Sequence, residues 1–306
     1  MGRRARKPKG FRDIDGILLL DKPLGLSSNK ALQAARNIFK ANKAGHTGSL
    51  DPLATGMLPV CFGEATKYSG LLLDSSKTYR ATCTLGVTTT TGDGEGEEIE
   101  RKPVEVDESQ LNSVLEQFRG VINQVPPMHS ALKHEGQRLY ALARQGVEVE
   151  RESREVEIFS LQLIDFEGDQ LILDVHCSKG TYIRTLAEDI GQALGCGAYL
   201  SGLVRTGVQP FWDQKQWTLD ELRRINDDPD QNLDDCLLPI EEALIDWPEV
   251  EVTADMGFYL LQGQPVQVPG APTNGLVRIF QIERGFIGLG SILSDGRVAP
   301  KRMIRV

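Results

Sequence analysis

The sequence predicts an α+β protein in two units, a mixed body followed by a small all-β domain. Three observations carry this. Segments with the two-residue period of strands alternate with segments of helical spacing as far as about residue 246. After Trp247-Pro248 the texture changes to short β-type runs punctuated by glycine and proline. The length, 306 residues, suits about two domains, each able to bury its own core.

Gly16–Leu20 is a continuous apolar run and reads as a buried strand, ended by Asp21-Lys22-Pro23 and a turn at Gly25. Ser27 or Ser28 then supplies the cap of a helix in which Ala31, Leu32, Ala35, Ile38 and Phe39 recur at helical spacing. Lys30, Arg36 and Lys40 make another face of it basic, and Gly45 is expected to end it. Gly45–Gly56, with three glycines and one proline, reads as a loop. Residues 78–87 alternate as a strand, and Thr88–Glu98 is expected to be an exposed loop. Val125–Glu157 holds Pro126-Pro127, Gly136 and Gly146 around one short amphipathic piece, Leu139–Ala143, and reads as an excursion inserted into the fold. Leu171, Leu173, Val175 and Cys177 keep strand period, Ser178–Thr181 breaks it, and Leu186, Ala187, Ile190 and Leu194 mark a helix. Residues 213–251 read as an acidic surface helix and linker, broken at Asp227-Asp228-Pro229-Asp230. The last unit, typified by Leu276–Ile282, is expected to be all-β.

No apolar run approaches the roughly 18–20 residues that cross a bilayer, and no apolar stretch follows the basic start MGRRARKPKGFRD. Five scattered cysteines without a C-x-x-C pair argue against a disulfide framework or a structural zinc site and for a reduced, cytoplasmic setting. The net charge of −9 conceals a segregation. Residues 1–50 carry eleven basic and three acidic side chains, residues 213–251 three and thirteen, and residues 274–306 six and two. Nucleic-acid affinity follows the local field over the phosphates and not the total, so a polyanionic partner fits this chain, as does a merely solvated basic face.

Four histidines make a poor metal inventory, and there is no H-E-x-x-H, P-loop or G-x-S-x-G. The G-x-G-x-G run Gly92–Gly96 is interleaved with Asp93 and Glu95, which would repel a phosphate. The most unusual segment is Gly45–Gly56. There Asp51 precedes Pro52, which biases it away from helical backbone and fixes a carboxylate on a stiff, glycine-flanked turn. An Asp-Pro pair also simply builds turns. Taken singly, Arg184 is compatible with a surface ion pair at a strand end, Tyr79 with an ordinary strand aromatic, His46 with a loop cap and Leu203 with core.

Gly45–Pro59, G-H-T-G-S-L-D-P-L-A-T-G-M-L-P, closely resembles the signature of the TruB family of bacterial tRNA pseudouridine-55 synthases. The resemblance continues in order through Gly16–Pro23, Asp74–Arg80, Ser130–Lys133, His176–Gly191 and Gly270–Arg278. It implies a basic tail (1–13), a catalytic domain (14–246) on a mixed, mainly antiparallel bent sheet with an RNA-gripping thumb near 125–157, and a C-terminal PUA-type β-barrel (247–306). It implies that Asp51 is the nucleophile acting on a flipped-out uridine of the tRNA T-loop, with Arg184 its ion-pair partner. Tyr79 corresponds to the aromatic that stacks on the target base, Leu203 to an apolar pocket wall, and His46 and Tyr182 to positions in contact with the RNA. One departure is visible. Thr90 stands where the family often has aspartate, which puts in doubt any RNA contact made by that group.

The reaction breaks C1′–N1, turns the uracil and joins C5 to C1′. It needs no redox step, metal or nucleotide, so no cofactor is expected. It needs one ionised carboxylate in a dry pocket, and a cation such as Arg184 would keep it ionised. The expected partner is the T-arm of tRNA, held by a monomer with neither an obligatory protein partner nor a membrane. A non-catalytic tRNA-binding or tRNA-folding protein would have no reason to place Asp51 where phosphates dock. A glycosidase or nucleosidase would need a second carboxylate about 5–10 Å from the first, and neither Gly45–Gly56 nor Ser178–Arg184 supplies one.

Overall fold

The computed structural model describes residues 10–305 apart from 131, 135 and 144. Most of the expected basic tail, residues 1–9, and part of the Ser130–Lys133 motif lie outside the described residues. The apolar run becomes β1 (Gly16–Lys22), buried almost throughout. Ser27 caps α1 (Ser28–Ile38), its side chain accepting from the Lys30 amide. The helix ends well before Gly45, because Phe39 buries itself 5.0 Å from the Phe62 ring and Lys40 turns the chain at φ 51°. Gly45 lies instead in a short strand, β2 (Ala44–His46), hydrogen-bonded to β3 (Ala54–Phe62). Only residues 47–53 of the expected loop are therefore irregular.

The chain continues through α2 (Ser69–Leu73), β4 (Lys77–Leu85) and a small hairpin of β5 (Val87–Thr89) and β6 (Glu98–Arg101). Next come α3 (Glu108–Gln117) and β7 (Gly120–Gln124). The chain then leaves the sheet for β8 (Lys133–His134), β9 (Gln137–Arg138) and α4 (Leu139–Ala143). It returns as the long β10 (Arg154–Glu167) beside β7, followed by β11 (Gln170–Cys177), α5 (Ile183–Ala193) and β12 (Ala198–Val208). The strand order is β1-β3-β12-β4-β11-β10-β7, with β2 also on β3. Every neighbour is antiparallel except β3 and β12, so the sheet is mixed and mainly antiparallel. The inward positions of β4, β11 and β12 pack on α3 and α5 around Leu111, Leu115, Leu173 and Leu186.

The parallel β3–β12 pairing depends on one glycine. Gly56 has φ +92°, and a Cβ there would lie 2.3 Å from the Arg205 carbonyl oxygen. Gly56→Ala should therefore combine left-handed strain with a clash against backbone that has no room to yield. A loss of about 3 kcal/mol or more is expected, read as a lower urea midpoint at unchanged slope; an unaltered midpoint would show that the two strands separate freely.

The acidic stretch is more than a surface linker. It holds α6 (Leu219–Asp227), whose capping box is built by Thr218 and Glu221. Leu219, Leu222, Leu233 and Cys236 are buried against Ala31, Leu32 and Ala35 of α1. Backbone bonds from Ile17 to Leu238 and from Asp21 to Trp217 also cover the β1 edge. The C-terminal segment departs from the all-β expectation too. It contains β13 (Glu249–Val252), the helix α7 (Ala254–Leu261) capped by Thr253, then β14 (Leu276–Gln281), β15 (Gly285–Ile292) and β16 (Val298–Met303). These strands form a sheet in that order, with β13 parallel to β14; among the described residues it does not close into a barrel. Phe286 and Leu289 pack with Ile17, Met57 and Tyr68 of the larger body. The Tyr68 hydroxyl donates to the Arg302 carbonyl at 2.8 Å across the same junction.

Candidate active site

The loop after β2 is pinned from behind. Ser28, not needed as the helix cap, donates its hydroxyl to the Leu50 carbonyl at 2.9 Å and accepts from the Leu50 amide at 2.6 Å. The Gly25 amide bonds the Pro52 carbonyl and the Ala54 amide bonds the Asp51 carbonyl, so both sides of Asp51 are tied down. Its carboxylate enters a cleft of about 390 Å³, at the small end of the range usual for small-molecule sites. Tyr79 from β4, Leu203 from β12, and Tyr182 and Arg184 from the start of α5 line the same cleft. His46 does not. It lines an adjoining hollow with Ser27, Asn29 and Thr91 that shares Asp51 and Arg184 with the first.

Arg184 is 6% exposed and occupies the first turn of α5, which rules out the strand-end surface pair. It bonds two carboxylates from different nitrogens: Nη2 to Asp51 Oδ2 at 2.7 Å and Nη1 to Asp93 Oδ2 at 2.9 Å. The carbonyls of Thr91 and His129, at 3.1 and 3.2 Å, accept its further N–H bonds. Thr88–Glu98 is thus not wholly exposed. Asp93 is buried, takes a 2.5 Å bond from the Thr91 hydroxyl, and backs the arginine. Asp51 differs, with 57% of its side chain open to solvent. The crowded floor nevertheless pushes its pKa above the ordinary carboxylate value; Arg184 pulls it back down and Asp93 opposes that pull.

Tyr79 and Arg205 are direct cross-strand partners on β4 and β12, beside a register shift in that pairing. Burial raises the Tyr79 pKa and keeps its hydroxyl protonated, although Arg205 works in the other direction. Tyr182 is held by its backbone: its amide donates to Gln124 Oε1 at 3.0 Å. Among the described residues the buried His46 Nδ1 has no hydrogen-bond partner, and burial lowers the pKa of the imidazole.

Four charged groups around this cleft escaped sequence reasoning. Asp93 is one. Lys22 is fully buried, donates to the Pro23 carbonyl at 2.9 Å, and has its pKa pushed down to about 8 by burial, with Asp51 opposing. Lys77, on the cleft wall, is likewise lowered to about 8 by burial and donates to the Leu73 carbonyl at 2.9 Å. Arg205 is the fourth. Lys77 had a readable signal, since it falls on the inward phase with Tyr79, Ala81, Cys83 and Leu85. Nothing separated Asp93 from its acidic neighbours.

Three family descriptions cover the chain in order: "TruB family pseudouridylate synthase (N terminal domain)" over residues 36–183, "tRNA pseudouridylate synthase B C-terminal domain" over 184–245, and "Pseudouridine synthase II TruB, C-terminal" over 248–304. The tRNA pseudouridine synthase B of Nitrosococcus oceani is 53% identical over 302 residues, 98% of each chain. This chain belongs to the TruB family. The protein of the same name from Ectopseudomonas mendocina is 54% identical over 294 residues, 96% of each chain. Among solved structures, an H/ACA RNP bound to a substrate RNA containing 2′-deoxyuridine aligns with TM-score 0.73 at 25% identity, covering 95% of this chain and 85% of that one. A Cbf5-Nop10-Gar1 complex aligns equally well, with TM-score 0.73 and 25% identity over 98% and 92%. The TruB-family fold is therefore shared with chains solved in an RNP bound to substrate RNA and in a Cbf5-Nop10-Gar1 complex.

Proposed function

We propose that this TruB-family chain isomerises uridine to pseudouridine in tRNA, at position 55 of the T-loop, with Asp51 as the nucleophile. The observation that carries the reading is the Asp51 carboxylate. It is reachable from the cleft, fixed by a backbone turn, and ion-paired at 2.7 Å to a buried arginine. Whether that carboxylate adds to C6, attacks C1′ or steadies a cationic sugar, the balance is the same. C1′–N1 breaks, C5–C1′ forms, C5 loses a proton and N1 gains one. Tyr79 stacks on the extruded base, Leu203 walls the pocket, and His46 and Tyr182 meet the RNA. Flipping costs a few kcal/mol of unstacking, which stacking on an aromatic and edge contacts offset. In this reading residues 14–246 do the chemistry with the 125–157 excursion gripping the T-arm, residues 247–306 hold RNA backbone as a PUA-type module, and the chain works as a monomer.

Unmodified tRNA carrying tritium at uridine C5 tests this directly. One tritium per tRNA should be released to water, mapping to position 55. Binding without release would leave the tRNA-folding reading in its place, and release from another position would overturn the T-loop assignment.

A further inference from the structure

Lys30 and Lys40 are exposed cations, and neither belongs to any ion pair among the described residues. Other exposed cations on the same body are provided for: Arg80, Arg101, Arg119, Lys179 and Arg223 each hold a carboxylate. Lys30 lies on α1 in an exposed stripe with Asn29, Gln33 and Asn37, at helical spacing. The stripe is opposite the buried Ala31, Leu32 and Ala35, on which the acidic α6 segment packs. Residues 1–50 hold eleven basic and three acidic side chains, and none of the three acids is on α1.

Lys40 stands where the backbone favours another residue type. The Ala41 amide bonds the Arg36 carbonyl at 3.0 Å, and the Lys40 amide bonds the Asn37 carbonyl at 3.2 Å. These are the two bonds of a Schellman helix end, and they hold Lys40 at φ 51°, the left-handed position that glycine fills with least strain. A lysine there costs backbone strain, and its side chain makes no ion pair within the described fold in return. The stripe also joins two hollows. At one end Ser27 and Asn29 line the hollow that shares Asp51 and Arg184 with the catalytic cleft. At the other end of this helix of about 16 Å, Asn37 and Lys40 line a second hollow with Phe11, whose ring lies 5.3 Å from the Arg36 guanidinium.

We propose that this stripe is a track for the sugar–phosphate backbone of the substrate RNA where it leaves the cleft. Cations without carboxylates meet phosphates with no ion pair to break, and the amide side chains between them donate to phosphate oxygens. Such contacts read no sequence; they add affinity and set the orientation of the RNA over Asp51. The inference rests on the proposed tRNA substrate.

The experiment uses the full chain, unmodified tRNA tritiated at uridine C5, and filter binding over a series of salt concentrations. Lys30→Gln and Lys40→Gly should each flatten the slope of log affinity against log salt by about 0.7–0.9, and the double variant by about twice that. The loss should fall on affinity and not on the single-turnover rate at saturating enzyme. Lys40→Gly carries a second readout. Glycine relieves the left-handed strain, so the urea midpoint should hold or rise while RNA binding weakens. Lys40→Arg keeps the cation and should keep the slope. Unchanged slopes in both single variants would overturn the proposal. Slowed turnover at saturation would overturn it too, by placing the lysines in the chemistry. Loss of binding to vesicles of anionic phospholipid, with tRNA slopes unchanged, would assign the stripe to a membrane surface instead. An unsubstituted chain that binds tRNA but releases no tritium would refute the isomerisation and leave the track standing.

Discussion

Asp51→Asn should abolish turnover while leaving the fold and tRNA binding in place. The substitution removes the anion that pairs with Arg184 at 2.7 Å but keeps the shape of the side chain. Arg184 retains Asp93 at 2.9 Å and its two backbone carbonyls, so the buried arginine is not left unpaired. Circular dichroism and the urea midpoint should change little. Loss of a sole nucleophile is among the largest single-residue effects in catalysis, so tritium release should fall by about 10⁴-fold or more. Affinity should hold or rise, because one negative charge leaves a surface that meets phosphates. Single-turnover release and filter binding measure the two separately. Residual turnover within about tenfold of normal would move the nucleophile elsewhere.

Arg184→Gln should damage stability and chemistry together, and a second substitution should separate them. Arg184 and Asp93 side chains are 7% and 5% exposed, so removing the cation strands a buried carboxylate. Breaking such a pair on one side costs about 3–5 kcal/mol. At the same time Asp51 loses the group that pulls its pKa down, while burial and Asp93 continue to raise it. Its folded pKa should climb further above the ordinary value of about 3.9. Because the reaction needs the ionised form, activity is lost as pH falls through that pKa, and the acid limb of the pH–rate profile should shift to higher pH. Adding Asp93→Asn removes the stranded charge. Stability should then recover in large part, and the acid limb should move partway back, because one of the two influences raising Asp51 is gone. The rate should stay low, because the oriented Asp51–Arg184 pair is still missing. Full recovery of rate would show that Arg184 serves only to neutralise Asp93.

Local periodicity made much of the catalytic body legible. β1 was readable because its apolar run is continuous, and α5 because Leu186, Ala187 and Ile190 share a face. Asp51 stood out because a dense Gly/Pro turn around a carboxylate is a local property of twelve adjacent residues. The end of α1 was not readable. It is set by Phe39 finding Phe62, and Gly45, a stop signal by type, was needed in a strand. α7 was hidden for a related reason: its short Ala254–Leu261 stretch sits among glycines and prolines that announce turns.

The charged machinery is what tertiary structure alone decided. Asp51 and Arg184 lie 133 positions apart, and Arg205 lies 148 from the carbonyl it holds. Only the sheet order, with β12 inserted between β3 and β4, brings these groups around one cleft. Lys22, Lys77, Asp93 and Arg205 look like surface residues in a sequence, because charged side chains usually are. Each is buried here by the packing of other elements, and only Lys77, in phase with the inward side of β4, carries a local sign of it. Types, turns and periods belong to contiguous residues and can be read from them, whereas desolvation and the pairing of charges belong to the assembled sheet.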